Sequence, residues 1–269
     1  MIIMSLKVVV STIFAISIIY FTIIFSSSSS APAPASAPAS SSASLYLDSN
    51  FLFFVEAQQP FTISDHEFHA YLEQMIGHLD ALILNVQNNN SVLAVAHALH
   101  PIEEIVDVIN SRLIQTNETL TKEFSSKLNK YVQTVRSDNL NKIVIEKREL
   151  EKLLSNALEQ SISLEKRTNR DHILNVTADL ITIASEEYAE SMSQGKIINL
   201  LEYQDGQQFF KRAIHLLDKS QAYLSENDNK NYLKRIDDMK KGLDSKIDPS
   251  EIDMNVKDML CEIKKGFYC

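Results

Sequence analysis

The chain has 269 residues, a net charge of −9, five glycines, six prolines and two cysteines. An acidic chain is a poor partner for nucleic acid, whose phosphates recruit basic surfaces. So few turn-forming residues exclude a many-stranded sheet and favour long helices.

The first element is apolar. Lys7 precedes an unbroken uncharged run, Val8 to Phe25, just long enough to span a hydrocarbon layer of about 30 Å. The positive charge lies on its N-terminal side, so the positive-inside rule puts the rest of the chain outside the cytoplasm. Residues 1–25 therefore read as a membrane anchor or as a cleaved signal peptide. Ser26 to Ser44 holds only Ser, Ala and Pro, and residues 26–57 read as a flexible tether. Either way the expected location is extracytoplasmic, membrane-anchored or secreted. Asn89, Asn117 and Asn175 each open a glycosylation sequon, which fits that location and adds little weight.

Eight helices are expected after the tether. Ser64 is a natural N-cap, with Glu67 in capping-box position, and Phe68, Leu72, Met75, Leu79, Leu82 and Val86 follow at helical spacing. Asn88-Asn89-Asn90 breaks the pattern. A second helix from Ser91 is expected to bury Val92, Val95, Leu99, Ile102, Ile105 and Ile109. Helices over 118–136 and 139–165 carry seams at Leu128, Val132, Val135 and at Leu150, Leu153, Leu154, Leu158. Further helices are expected over 170–193, 196–225 and 229–244, and a last one from Asp248 with Pro249 at its first position.

The fold class expected is thus all-α: an internally duplicated helical bundle of two four-helix units, 58–166 and 167–269. His97 and His100 stand 105 residues before Glu202 and Asp205, as Leu128 does before Leu233 and Pro101 before Gly206. Proline and glycine both weaken a helix, so the two copies look softened beside the same pair of polar residues. Cys261 and Cys269 would be too far apart on a continuous helix to bond. A chain reversal at Gly266 would bring them together, and both readings stay open.

His97, His100 and Glu104 share one helix face, and His78 borders the apolar face of the preceding helix. In the second half Glu202 with Asp205, and Glu187 with Glu190, are further pairs three apart. Imidazoles and carboxylates at such spacing bind divalent metals or iron, and bundles build such sites from facing helices. Taken singly, each pair is equally what a solvated helix face looks like. No phosphate loop, nucleophile elbow or His-Glu-x-x-His motif occurs, so no enzyme is expected. No Cys-x-x-Cys-His motif occurs either, which excludes covalent c-type haem.

Tyr188, Gly195-Lys196-Ile197 with Asn199, Glu202-Tyr203-Gln204-Asp205, Phe209 and Arg212-Ala213 together form a recognisable pattern. This stretch resembles the extracytoplasmic helical domain fused to the N-terminus of FTR-type iron permeases. The resemblance implies a helical module for iron handling beside a membrane permease. The permease itself needs several spans with Arg-Glu-x-x-Glu motifs. Here Arg148-Glu149-Leu150-Glu151 has its second glutamate one place early, so this chain is not expected to transport iron by itself. The function expected is non-catalytic metal binding for capture, sensing or delivery, with iron first and copper or another divalent metal open. Its ligands would be His78, His97, His100, Glu104, Glu187, Glu190, Glu202 and Asp205. The partners expected are the membrane, through the N-terminal segment, and a permease. The alternative is a tethered scaffold that binds a protein and no metal.

Overall fold

The computed structural model describes residues 63–137 and 139–264. The expected anchor or signal segment, the tether and Cys269 lie outside them. Within the described residues no helix is long and apolar enough to cross a membrane.

The described residues are essentially all helical, in line with the composition. Ten α-helices follow in order: α1 (Asp65–Gln87), α2 (Ser91–Glu104), α3 (Val106–Thr116), α4 (Glu118–Arg136), α5 (Leu140–Ser161), the single turn α6 (Leu164–Arg167), α7 (Arg170–Ser191), α8 (Leu200–Lys219), α9 (Glu226–Asp244) and α10 (Pro249–Ile263). Ser64 caps α1 in a full capping box with Glu67. Ile63 before the cap and Phe68 after it are both buried in one cluster, the staple that fixes the angle at which the chain enters the helix. Between α7 and α8 a two-stranded ribbon pairs Met192 with Ile197 and Ser193 with Lys196. Gln194 and Gly195 both have positive φ there, the signature of a tight two-residue hairpin turn.

Two apolar cores result. One is built from α1 to α5 around Phe68, Leu82, Ile109, Phe124 and Tyr131. The other is built from α7 to α10 around Leu180, Tyr188, Phe209, Phe210 and Ile236. Ala70 of α1 belongs to the second core, so α1 is shared: it packs on α2 and α5 in its own half and on α7 and α8 in the other. Arg212 of α8 fastens this junction by donating two hydrogen bonds to Glu73 of α1.

Several expected details change. The second helix is interrupted: α2 ends at Glu104, Ile105 leaves helical geometry, and α3 resumes at Val106. Pro101 stands four residues before that break, where its missing N–H leaves the carbonyl of His97 without its helical donor. Val92 is 79 % exposed, because it lies in the first turn of α2, beside the turn where α1 has ended. The expected sixth helix, 196–225, is trimmed by the ribbon at its start and by a 3₁₀ turn, Gln221–Tyr223, at its end.

The repeat register also shifts. The first helices of the halves start 105 residues apart (Asp65 and Arg170), but the next corresponding starts are Ser91 and Leu200, Glu118 and Glu226, and Leu140 and Pro249. The ribbon lengthens the second connection, so equal offset is not equal place along the helix. Pro101 and Gly206 therefore do not correspond. Leu128 is buried, whereas Leu233 is only partly so and Ile236, three residues further on, is fully buried. Cys261 is disulfide-bonded.

Candidate metal centre

Four helices converge at the junction of the halves. His78 comes from α1, His97, His100 and Glu104 from α2, Glu187 from α7, and Glu202 and Asp205 from α8. Positions 97, 100 and 104 recur at three and four residues, which puts all three on the face of α2 turned towards α8. Asn199 caps α8 and donates from Nδ2 to Glu202. Both acidic residues then sit in the first two turns of α8, where a helix N-terminus favours negative charge.

Asp205 is the hub. Its side chain is fully buried, and His78 Nδ1 and His97 Nδ1 approach Oδ1 at 2.9 and 3.2 Å. His100 Nδ1 lies 3.1 Å from Oδ2. On its other side His100 Nε2 faces Glu104 at 2.9 Å and Glu202 at 3.6 Å. His78 Nε2 points towards Glu104 at 3.9 Å. Glu104 is the most open to solvent, its side chain 35 % exposed against 11 % for Glu202, 1 % for His78 and 0 % for His97.

Close approach is not the same as hydrogen bonding here. Neither nitrogen of His78 has a hydrogen-bond partner in proper alignment, nor do His97 Nδ1, Asp205 Oδ1 or Glu202 Oε2. Each buried polar atom left so costs about 1–3 kcal/mol, and a native interior rarely tolerates several together. The tautomer of His97 explains part of this. Gln204 Oε1 accepts from Asn85 Nδ2 at 2.7 Å and also from His97 Nε2 at 2.8 Å. The ring proton is thereby held on Nε2, and the lone pair of Nδ1 faces the lone pairs of Asp205. Electron-rich atoms converging in this way fit a cation between them. Three sets of ligand atoms lie within 4.8 Å of one another: His78, His97 and Asp205; His100, Glu202 and Asp205; and His78, His100 and Glu104.

The electrostatics follow from the same geometry. Burial opposes charge on His100, but hydrogen bonds to Asp205 and Glu104 and the nearby Glu202 outweigh it and push its pKa up to about 11. Burial likewise opposes ionisation of Asp205, yet the close approach of His78, the hydrogen bond with His100 and the nearby His97 hold it well below the usual carboxylate range. Burial, a hydrogen bond to Glu202 and the charges of Glu202, Glu104 and Asp205 push Glu187 up to about 10. Glu187 therefore keeps its proton and shares it with Glu202.

The second half carries a likeness to a known family. Residues 163–268 match the family model of the iron permease-associated 4-helix bundle domain. No curated protein and no solved structure matches the chain. The resemblance read from the motif around Glu202 thus holds for the iron permease-associated domain, which supplies Glu187, Glu202 and Asp205. His78, His97, His100 and Glu104 come from the preceding half, outside the matched segment.

The motif residues divide by task. Tyr188 donates to the Ile247 carbonyl and Tyr203 to that of Leu243, tying α7 and α8 to the end of α9 and the turn that follows it. Gly206 does not soften α8, which runs through it unbroken. A Cβ there would meet the Ala184 carbonyl oxygen at 2.9 Å and the Tyr188 nitrogen at 3.3 Å, so the glycine lets α8 lie close on α7. Gly77 makes room for the Phe209 ring in the same way, and that ring meets His78 edge-on at 5.1 Å.

Of the eight expected ligands, seven gather at the junction. Glu190 does not: it lies on an exposed stretch at the end of α7 and belongs to none of the three sets. Sequence reading took the groups half by half, with their convergence required of a metal site, and the structure joins them in one place. It also missed Asn85 and Gln204 as orienting residues. Gln204 was visible inside the family motif, but its task depends on His97, 107 positions away.

Proposed function

We propose that this chain is an extracytoplasmic metal-binding module of iron handling, holding its cargo cation at the junction of its halves for a membrane iron permease. The observation that carries the reading is the set of buried, unpartnered nitrogen and oxygen atoms of His78, His97 and Asp205. The permease partner rests on the match to the iron permease-associated domain, and the location on the apolar N-terminal run.

His78, His97, His100, Glu104, Glu202 and Asp205 supply the ligand atoms. Mixed imidazole and carboxylate sets suit ferrous and ferric iron, zinc, cupric copper and manganese, and the absence of thiolate from these sets disfavours cuprous copper. Asn85 and Gln204 hold the His97 ring in the tautomer that leaves Nδ1 free to coordinate. Glu104, at the solvent edge, is the first group an arriving cation meets. Binding displaces the protons on His100 and between Glu187 and Glu202, so uptake releases protons and acidification favours discharge.

The test is a titration of the protein with ferrous iron and with cupric copper, beside a variant carrying His97→Ala, His100→Ala, Glu202→Ala and Asp205→Ala. Saturable micromolar or tighter binding that the folded variant loses is the expected result. Absent binding, or equal binding by both proteins, leaves the scaffold reading in its place.

A further inference from the structure

Asp205 presents its two oxygens to different partners. Oδ1 faces His78 Nδ1 and His97 Nδ1, while Oδ2 faces His100. Two of the three-residue ligand sets meet only at this carboxylate: His78 and His97 on one side, His100 and Glu202 on the other. Unpartnered buried atoms occur on both sides: His78 Nδ1, His97 Nδ1 and Asp205 Oδ1 belong to the first set and Glu202 Oε2 to a residue of the second, while His78 Nε2, also unpartnered, faces Glu104.

From this division we infer that the junction holds two divalent cations bridged by Asp205. The inference rests on the metal-binding reading and adds the number of ions and their arrangement. The inner ion takes His78 Nδ1, His97 Nδ1 and Asp205 Oδ1. The outer ion takes His100, Glu202 and Asp205 Oδ2. A carboxylate that binds one ion through each oxygen holds them about 3.5–4 Å apart, the spacing usual in two-metal sites. A single ion would satisfy one oxygen of Asp205 and leave the other set as it stands.

The experiment counts ferrous iron per chain on the full-length protein under argon, by elemental analysis after removal of unbound metal. Electron paramagnetic resonance of the Mn²⁺-loaded protein then reads whether the ions are coupled. Two ions per chain and an exchange-coupled Mn²⁺ signal are expected. His97→Asn removes a ligand of the inner ion alone and Glu202→Gln one of the outer ion alone. Each should bind one ion per chain and show only an isolated Mn²⁺ signal. One ion per chain in the unaltered protein, with an isolated signal, overturns the two-ion arrangement while leaving the metal-binding reading standing. No bound ion at all overturns both.

Discussion

The molecule buries histidines in two places, and the two behave oppositely. At the junction His78, His97 and His100 surround Asp205, with Glu104 and Glu202 beyond. Nearer the start of α1, His69 Nδ1 meets His172 Nε2 of α7 at 3.1 Å, the rings stacked at 5.4 Å. Here the nearest carboxylate, Glu73, is 3.8 Å from His69 and is already engaged by Arg212. Burial, with Arg167 and Arg212 nearby, pushes His69 down to about 4. Burial and the neighbouring His69 do the same to His172. Both rings are neutral and satisfy each other with a single proton. Burial alone therefore does not distinguish the two places; converging carboxylates and unpartnered nitrogens do.

The comparison breaks most visibly at Asp205. Asp205→Ala removes the buried partner of the His100 imidazole and should destabilise the protein by about 3–5 kcal/mol, read from urea unfolding at pH 7. A loss below about 1 kcal/mol, the net worth of a single ordinary hydrogen bond, would mean the junction is no more special than the His69 pair. Gly206→Ala comes next. Its Cβ meets backbone rather than a movable side chain, and overpacking of this kind costs about 1–3 kcal/mol. The same unfolding curve, with metal affinity measured beside it, shows whether close packing of α7 on α8 also sets the spacing of Glu187 and Glu202.

The His69 pair should matter less. Replacing both rings, His69→Gln with His172→Gln, removes one mutual hydrogen bond, a loss of about 1 kcal/mol. Its sharper signature is pH dependence. Because both folded values lie near 4 and the unfolded value near 6.5, the contribution of the pair is complete above pH 6.5 and is lost as pH falls towards 4. The double variant should therefore show a flatter decline of unfolding midpoint across that window. His100 has the reverse sign. With its folded value near 11, its contribution is complete below pH 6.5 and fades as pH rises through 11. Val92→Ser, at an exposed site, should change stability by no more than about 0.5 kcal/mol. A larger loss would return Val92 to the core where its spacing first put it.

Much of this was legible from residue spacing. The capping box at Ser64, the apolar seam of α1 and the N-terminal Pro249 are local features, and local chemistry decides them. The faces of His97, His100 and Glu104 and of Glu202 and Asp205 were readable for the same reason. What spacing could not show was that the two faces meet, since that depends on α1 and α2 packing against α7 and α8. Glu190 had the same local signature as Glu187, and only the packing of α7 separates them. Gly206 looked like a weak point in a helix because its neighbour, the Ala184 carbonyl, belongs to another element. The register error arose from the ribbon at Met192–Ile197, which adds residues that no helical periodicity counts.

The central claim is tested most directly by thermal unfolding with and without ferrous iron. Three proteins are compared: the unaltered chain, Asp205→Asn, and His69→Gln with His172→Gln. A ligand at a hundred times its dissociation constant stabilises the folded state by about 2.7 kcal/mol. The unaltered chain and the His69/His172 variant should both gain that shift, and Asp205→Asn should lose it. An equal shift in Asp205→Asn, or none in the unaltered chain, would contradict the assignment of the junction as the metal centre.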